Sequence, residues 1–122
     1  MKKLFVSVPM QGRTEEEIRA SIAKMKTIAE AYEGEKLELI DTYMTEEPSM
    51  DCNKSLWYLS KSLEKLAITD IFIGIEDVFH WRGCKIETDA AKLYGIKSYK
   101  VAPDIVIPNY EVVKALQSAF KN

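Results

Sequence analysis

The chain has 122 residues, of which 47% are hydrophobic and 30% charged, a composition typical of an ordinary globular protein with one core. Its formal net charge is -2, and the basic residues are spread along the chain, which disfavours a nucleic-acid polymer as a partner. With two cysteines, one histidine and no Cys-x-x-Cys spacing, we expect neither a metal site nor a disulfide framework, and we expect no cofactor.

Strand-like and helix-like patterns alternate along the chain. Short apolar segments predict strands at residues 3–8, 37–41, 71–75 and 96–101, with an edge strand at 104–107. Helical periodicity predicts helices over residues 14–33, 54–67 and 84–94, and a last helix that begins after Asn109. A capping box at residues 14–17 opens the first of these helices, and Gly34 ends it. Repeated strand–helix units indicate an α/β fold: a single flavodoxin-like or Rossmann-like doubly wound domain over residues 1–122, with a four- to five-stranded parallel sheet.

Each predicted helix has apolar residues at the spacing of one buried face. These inward positions are Ile18, Ile22, Met25, Ala29 and Tyr32, then Leu56, Leu59, Leu63 and Leu66, then Ile86, Ala90 and Leu93, and finally Tyr110, Val113, Leu116 and Phe120. The polar loop at residues 42–53 is long for such a unit, so we expect it to act as a lid. No apolar run approaches the length of a membrane span, so we predict a cytoplasmic protein without a membrane partner.

The segment from Asp70 to Tyr94 carries most of the functional signal. Residues 71–75 predict a strand buried on both faces, followed by a loop of charged and aromatic residues and a helix that opens at Gly83. Glu87 is predicted in the first turn of that helix, at the edge of its buried stripe. Because open α/β sheets bind ligands beyond the carboxyl ends of their strands, Glu87 is placed to face a substrate. The alternative is that its charge only complements the positive end of the helix.

The first strand is followed by a loop at residues 9–14 that lies at the same edge of the sheet. Gly12 permits close backbone approach, Arg13 offers a bidentate donor, and the amides of the following helix favour an anion such as a phosphate. A sugar hydroxyl would also suit these donors. Three glutamates at residues 15–17 already complement that helix end, so an ordinary capped loop is the alternative.

Three segments resemble the nucleoside 2-deoxyribosyltransferase-like superfamily, in particular its small phage and bacterial members. They are residues 7–13 (Ser-Val-Pro-Met-Gln-Gly-Arg), 70–74 (Asp-Ile-Phe-Ile-Gly) and 82–91 (Arg-Gly-Cys-Lys-Ile-Glu-Thr-Asp-Ala-Ala). The resemblance spans roughly residues 3–101. It implies that Glu87 attacks the anomeric carbon of a nucleoside or nucleotide and that the sugar then passes to another base or to water, while a second group protonates the departing base.

The sequence departs from the family pattern at three positions. Trp81 stands where active transferases have an aspartate, Ser62 stands where they have an aspartate on the preceding helix, and Val8 replaces a glycine. The acid is therefore open, and we take Asp77 as the best substitute, with Glu76 behind it. The positions that we expect to bind substrate surround the first loop and the start of the third helix: Ser7, Pro9, Met10, Gly12, Arg13, Trp81, Gly83 and Cys84.

Several of these residues have other interpretations. Trp81 and Phe79 would stack on a base or form a hydrophobic contact, and a loop histidine such as His80 is commonly just exposed. Cys84 near a helix N-terminus is expected to have a lowered pKa, which makes a cysteine nucleophile an alternative. A binding module that keeps the pocket without the acid is the competing function, and a scaffold that only assembles oligomers is a third.

The run Leu56-Trp57-Tyr58-Leu59 predicts self-association, because four consecutive large apolar side chains cannot all face one core. Aromatic residues are enriched at subunit contacts, and members of the family pair their subunits. We therefore expect a homodimer or a higher homo-oligomer with the helix at residues 54–67 in the interface.

Overall fold

The structure is a computed structural model that describes residues 1–76, 81–112 and 115. Its elements follow in strict alternation, beginning with β1 (Lys3–Val6), α1 (Glu15–Glu33), β2 (Glu38–Leu39) and α2 (Lys54–Leu66). The second half contains β3 (Ile71–Ile75), α3 (Arg82–Leu93), β4 (Lys97–Val101) and α4 (Pro103–Val106). The four strands form one sheet in the order β2-β1-β3-β4, and every neighbouring pair is parallel. The predicted doubly wound α/β fold, flavodoxin-like or Rossmann-like, is confirmed.

Side chains that alternate along the strands divide the core between the two faces of the sheet. Leu4 and Val6 point to the face covered by α1, whereas Phe5 and Phe72 point to the face covered by α2 and α3. The α1 face carries the larger core, to which the helix contributes Ile18, Ile22, Met25 and Ala29 as predicted. The α2 and α3 face has a smaller core, made of Phe5, Leu66, Phe72 and Ala91.

The predicted buried face of α3 is wrong at two of its three positions. Ile86 is 42% exposed and Leu93 is 79% exposed, whereas the side chains that turn inward are Cys84, Glu87, Thr88 and Ala91. The third position, Ala90, is half-buried and packs against the smaller core. Ala91 is buried in that core with the stacked rings of Phe5 and Phe72, which lie 5.7 Å apart between centroids.

Other boundaries also differ from the sequence pattern. Residues 104–107 were predicted as an edge strand, but residues 104–106 belong to α4, because Pro103 provides the fixed φ that suits a first helical position. On α2, Leu66 is buried but Leu56 is 61% exposed, because the first half of this helix lies beside a cavity and not on the sheet. Tyr32 is 58% exposed and stacks on Tyr99. Tyr110 is buried as predicted, whereas Val113, Leu116 and Phe120 lie outside the described residues.

Candidate functional site

A cavity of about 620 Å³ opens at the carboxyl ends of β1 and β3, where a parallel sheet of this kind binds its ligands. Its volume lies within the range of small-molecule sites. Its walls come from β1 and the first loop, from the loop after β2, from α2 and from the start of α3. The residues that line the cavity include Met10, Arg13, Tyr43, Ser55, Tyr58, Ser62, Trp81, Arg82, Cys84 and Glu87.

Glu87 is the buried carboxyl group of this cavity. It is the sixth residue of α3 and therefore lies in the second turn of the helix, not the first as predicted, and it is 9% exposed. The Ser7 hydroxyl donates a hydrogen bond of 2.7 Å to Glu87 Oε1, and Ser62 of α2 lines the same cavity. Burial raises the pKa of Glu87 above its ordinary value, and the nearby hydroxyls of Ser7 and Ser62 offset part of that rise.

Ser7 reaches Glu87 because of its position after β1. Its backbone N–H donates to Ile73 O at 2.9 Å, which continues the strand pairing by one residue. Side chains alternate, so Ser7 points to the same face as Phe5, toward α3. Ser7 is 2% exposed and lies behind the carboxylate, off the cavity wall as described. Ser7 therefore positions Glu87, and its role in binding substrate stays a prediction.

Gly74 of β3 controls how closely the strand and α3 approach each other. A Cβ added at this position would lie 3.0 Å from Phe72 Cε1 and 3.6 Å from Thr88 Oγ1. Phe72 is fully buried, so its ring has little space in which to move away. The absence of a side chain at Gly74 thus preserves the packing next to the turn of α3 that carries Glu87.

Cys84 does not have the reactive thiol that its position near a helix start predicted. Burial, followed by the adjacent Glu87 carboxylate, raises the pKa of Cys84 to about 12. The expectation of a lowered pKa is therefore wrong, because desolvation outweighs the favourable helix end. Cys84 lines the cavity as a protonated thiol, which argues against a cysteine nucleophile.

Arg13 lines the cavity but also braces the first loop. Its guanidinium donates to Pro9 O at 2.9 Å, to Ser21 Oγ at 2.5 Å and to Glu17 O at 3.3 Å. Burial lowers the pKa of Arg13, with nearby negative charge acting in the opposite direction. Gly12 has a φ of 77° and supplies the left-handed turn of this loop, but it lies off the described cavity wall.

The amino end of α1 is closed by its own side chains. Thr14 Oγ1 accepts from the Glu17 N–H at 3.1 Å, and Glu17 Oε1 accepts from the Thr14 N–H at 3.0 Å. This is the capping box that the sequence predicted. It uses one amide of the helix end, and the Glu17 carboxylate opposes a second anion there. Pro9 and Met10, by contrast, lie on the cavity wall as expected.

The start of α3 contributes Trp81, Arg82 and Gly83 to the wall. Trp81 is 6% exposed, and its ring lies 5.8 Å from that of Tyr110, so much of the side chain belongs to the α1-side core. Only a small part of this side chain is therefore available to a ligand. Arg82 is exposed at the rim, which gives the cavity a second guanidinium besides Arg13.

The wall made by α2 and the preceding loop was largely missed from the sequence. Ser55, Tyr58 and Ser62 line the cavity at helical spacing, and Thr42 and Tyr43 line it from the loop. The Tyr58 hydroxyl donates to Glu46 O at 3.3 Å, which ties residues 42–53 to the helix. The helical spacing of Ser55 and Ser62 is the signal that would have placed them on one face of α2, whereas the apolar spacing did not reveal them. The role of this loop as a lid stays a prediction.

The two candidate acids fall outside this geometry. Asp77, together with Phe79 and His80, lies outside the described residues. Glu76 is exposed and lines a different cavity with Asp104, so the described structure does not bring it to Glu87.

Within residues 1–76, 81–112 and 115, no cluster of three or more histidine, cysteine or acidic side chains could hold a metal ion. The helices of the same described part include none long and apolar enough to cross a membrane.

Comparisons with protein-family profiles, with curated proteins and with solved structures find no match for this chain. What the arrangement can do chemically therefore rests on its own residues. A buried carboxylate on a cavity wall, oriented by the Ser7 hydroxyl that follows β1, can attack or stabilise an electron-poor carbon. Guanidinium groups at the rim can hold an anionic part of the same ligand.

Proposed function

We propose that the protein cleaves the N-glycosidic bond of a nucleoside or nucleotide, with Glu87 as the nucleophile. This is the chemistry implied by the resemblance to the nucleoside 2-deoxyribosyltransferase-like superfamily, of which we propose the chain is a member. The observation that carries the proposal is the Glu87 carboxylate, which is buried at the cavity and fixed by Ser7. The glycosyl group then passes from Glu87 to water or to a second base.

The position of Ser62 supports this reading of the resemblance. The family places on this helix an aspartate that handles the base, and Ser62 lines the same cavity as Glu87. Its hydroxyl supplies no second carboxylate. We also propose that Arg13 and Arg82 hold the phosphate of a 5'-monophosphate, since both line the cavity.

The decisive experiment is to incubate the protein with matched nucleosides and 5'-monophosphates and to follow free base by chromatography. We expect release of base, faster from the monophosphates, and a loss of about 100-fold or more in Glu87→Gln, which keeps the shape but removes the anion. Asp89→Asn is the matched control, because Asp89 is paired with Lys85 on the outer surface of the same helix. Full activity in Glu87→Gln would contradict the proposed mechanism.

The second candidate function is a module that binds a nucleotide without cleaving it. It is favoured by the single carboxylate on the cavity wall as described. Tight binding of a monophosphate by calorimetry, with no base released from any compound, would identify this function. The same Glu87→Gln variant would then bind the monophosphate as tightly as wild type, because no positive charge develops on a reacting carbon.

We further propose that the protein acts in the cytoplasm as a homodimer or larger homo-oligomer through the outer surface of α2 and α3. Both cysteines are free, which fits a reducing compartment. Leu56, Ile86 and Leu93 are exposed on this layer, and a second copy would cover them. Sedimentation should show an assembly that Leu56→Glu dissociates and that Ile105→Glu, on the opposite layer, leaves intact. A monomer of 13.9 kDa at micromolar concentration would contradict this.

A further inference from the structure

Glu87 differs from most buried carboxylates because its described partners are neutral. Among the described residues, the Ser7 hydroxyl is the group that bonds it, and a hydroxyl supplies no positive charge. A carboxylate removed from water without a counter-charge is costly, and proteins usually pair it with a cation. The carboxylate is therefore arranged to meet a positive charge that a ligand brings.

The described cavity also lacks a second carboxylate. Among the lining residues that the structure describes, Glu87 is the single acid, and the other groups able to carry charge or titrate are Arg13, Tyr43, Tyr58, Arg82 and Cys84. Cleavage of a neutral N-glycoside by a nucleophilic carboxylate requires a proton donor for the departing base. The Cys84 thiol, with a pKa of about 12, is far from the range in which proton donors work well at neutral pH.

We infer that the preferred substrate is a nucleotide whose base is already a cation: a heteroaromatic ring that carries a quaternary nitrogen at the glycosidic bond or an added alkyl group. Ribosyl pyridinium monophosphates and N7-alkylated purine monophosphates belong to this class. This inference rests on the proposed function and narrows its substrate. It follows from a cavity in which a buried carboxylate has no cationic partner and no neighbouring carboxylate among the described residues.

The first step needs no proton. A Glu87 oxygen forms a bond to C1', the C1'–N bond breaks, and its electron pair moves into the ring and cancels the positive charge there. The base leaves as a neutral molecule, and the sugar remains as an ester of Glu87. Water then attacks C1', and the ester bond between C1' and Glu87 breaks, which restores the carboxylate. The water oxygen becomes the sugar hydroxyl, and one of the two water protons leaves to solvent.

The electrostatics of the cavity are consistent with such a ligand. A cationic ring near Glu87 favours the ionised carboxylate, which opposes the rise in its pKa that burial causes. The 5'-phosphate would be held by Arg13 and Arg82 on the same wall. A nucleotide of this class thus brings a positive charge for Glu87 and a negative charge for the two guanidinium groups.

The test uses two pairs of monophosphates. One pair is 7-methylguanosine 5'-monophosphate against guanosine 5'-monophosphate, and the other is nicotinamide mononucleotide against uridine 5'-monophosphate. Base release is measured for each as kcat/KM and divided by the uncatalysed rate, which removes the intrinsic lability of the cationic compounds. Because a general acid contributes about 10²–10⁴-fold and only the neutral bases need one, we expect a normalised preference of about 100-fold for the cationic member of each pair. Glu87→Gln should lose the activity on both.

The pH profile on nicotinamide mononucleotide gives a second readout. Activity should rise as Glu87 ionises and then stay level, because no protonated group is needed to release the base. Equal normalised rates for both members of each pair, or a fall in rate at higher pH from loss of an acid, would overturn the inference while the proposed function stood. No release from any of the four compounds would contradict both.

Discussion

Two shielded carboxylates lie at opposite ends of the parallel sheet, and their surroundings differ. At the amino end, the Glu33 side chain is 3% exposed, with Lys97 Nζ at 2.7 Å, Lys2 Nζ at 3.5 Å and the Tyr99 hydroxyl also bonded to it. These partners lower the pKa of Glu33 to about 2. At the carboxyl end, burial raises the pKa of Glu87, whose described partners are hydroxyls.

The comparison separates a carboxylate that joins elements from one that is available to a ligand. Glu33 ends α1 and connects it to the first residue of β4, so its charge is used within the fold. Glu87 faces a cavity and has no such charge partner among the described residues. The cavity meets both cores, because Val6 and Ile18 on its wall belong to the larger one and Phe5 belongs to the smaller.

The largest expected effect is that of Gly74→Ala, which tests whether close packing supports the Glu87 end. The added Cβ would lie 3.0 Å from a Phe72 ring that is fully buried and stacked on Phe5. We expect a loss of about 1–3 kcal/mol in the free energy of unfolding, because overpacking displaces the ring or the helix. Chemical denaturation measures this directly.

Gly83→Ala is the matched control for that substitution. Gly83 lies within α3, and a Cβ added there meets no atom within 4 Å. The substitution should stabilise the protein by about 0.5–1 kcal/mol, because alanine favours a helix more than glycine does. Equal effects of the two substitutions on the free energy of unfolding would show that β3 and α3 pack less closely than the distances at Gly74 indicate.

Glu33→Gln tests the other end of the comparison through pH. The pKa of Glu33 is lowered in the folded protein, so its charge contributes stability above the ordinary value of 4.5, and this contribution is lost as pH falls toward about 2. Urea denaturation should therefore show a gap between wild type and variant that is largest above pH 4.5 and closes in acid. The control Glu35→Gln removes a carboxylate 47% exposed and 4.0 Å from Lys2, and it should have the smaller effect.

Much of the fold could be predicted from the sequence because local patterns and global topology agree. The β3 segment at residues 71–75, the capping box of Thr14 and the stop at Gly34 are all confirmed. Four helical positions of α1 face the core as their spacing requires. Alternating strands and helices then leave the parallel sheet as the natural arrangement.

The errors arise where packing on the sheet overrides local periodicity. On α3 the apolar spacing favoured Ile86 and Leu93, whereas Ala91 is the residue buried with the Phe5 and Phe72 rings. The spacing of Ser55 and Ser62 on α2 is a local pattern, but that this face borders a cavity depends on how α2 and α3 pack side by side on the sheet. The pKa of Cys84 likewise depends on burial, which the position near a helix start did not reveal.

The central claim is that Glu87 is kept for a ligand and not for folding, and the pH dependence of unfolding for wild type and Glu87→Gln tests it most directly. The pKa of Glu87 is raised in the folded protein, so the folded state holds its proton more tightly than the unfolded chain does. We predict that wild type loses stability relative to the variant as pH rises above the ordinary value of 4.5, until the pKa of the folded protein is passed. A gain in relative stability over that range would mean that the fold pairs this carboxylate with a cation, and it would contradict the claim.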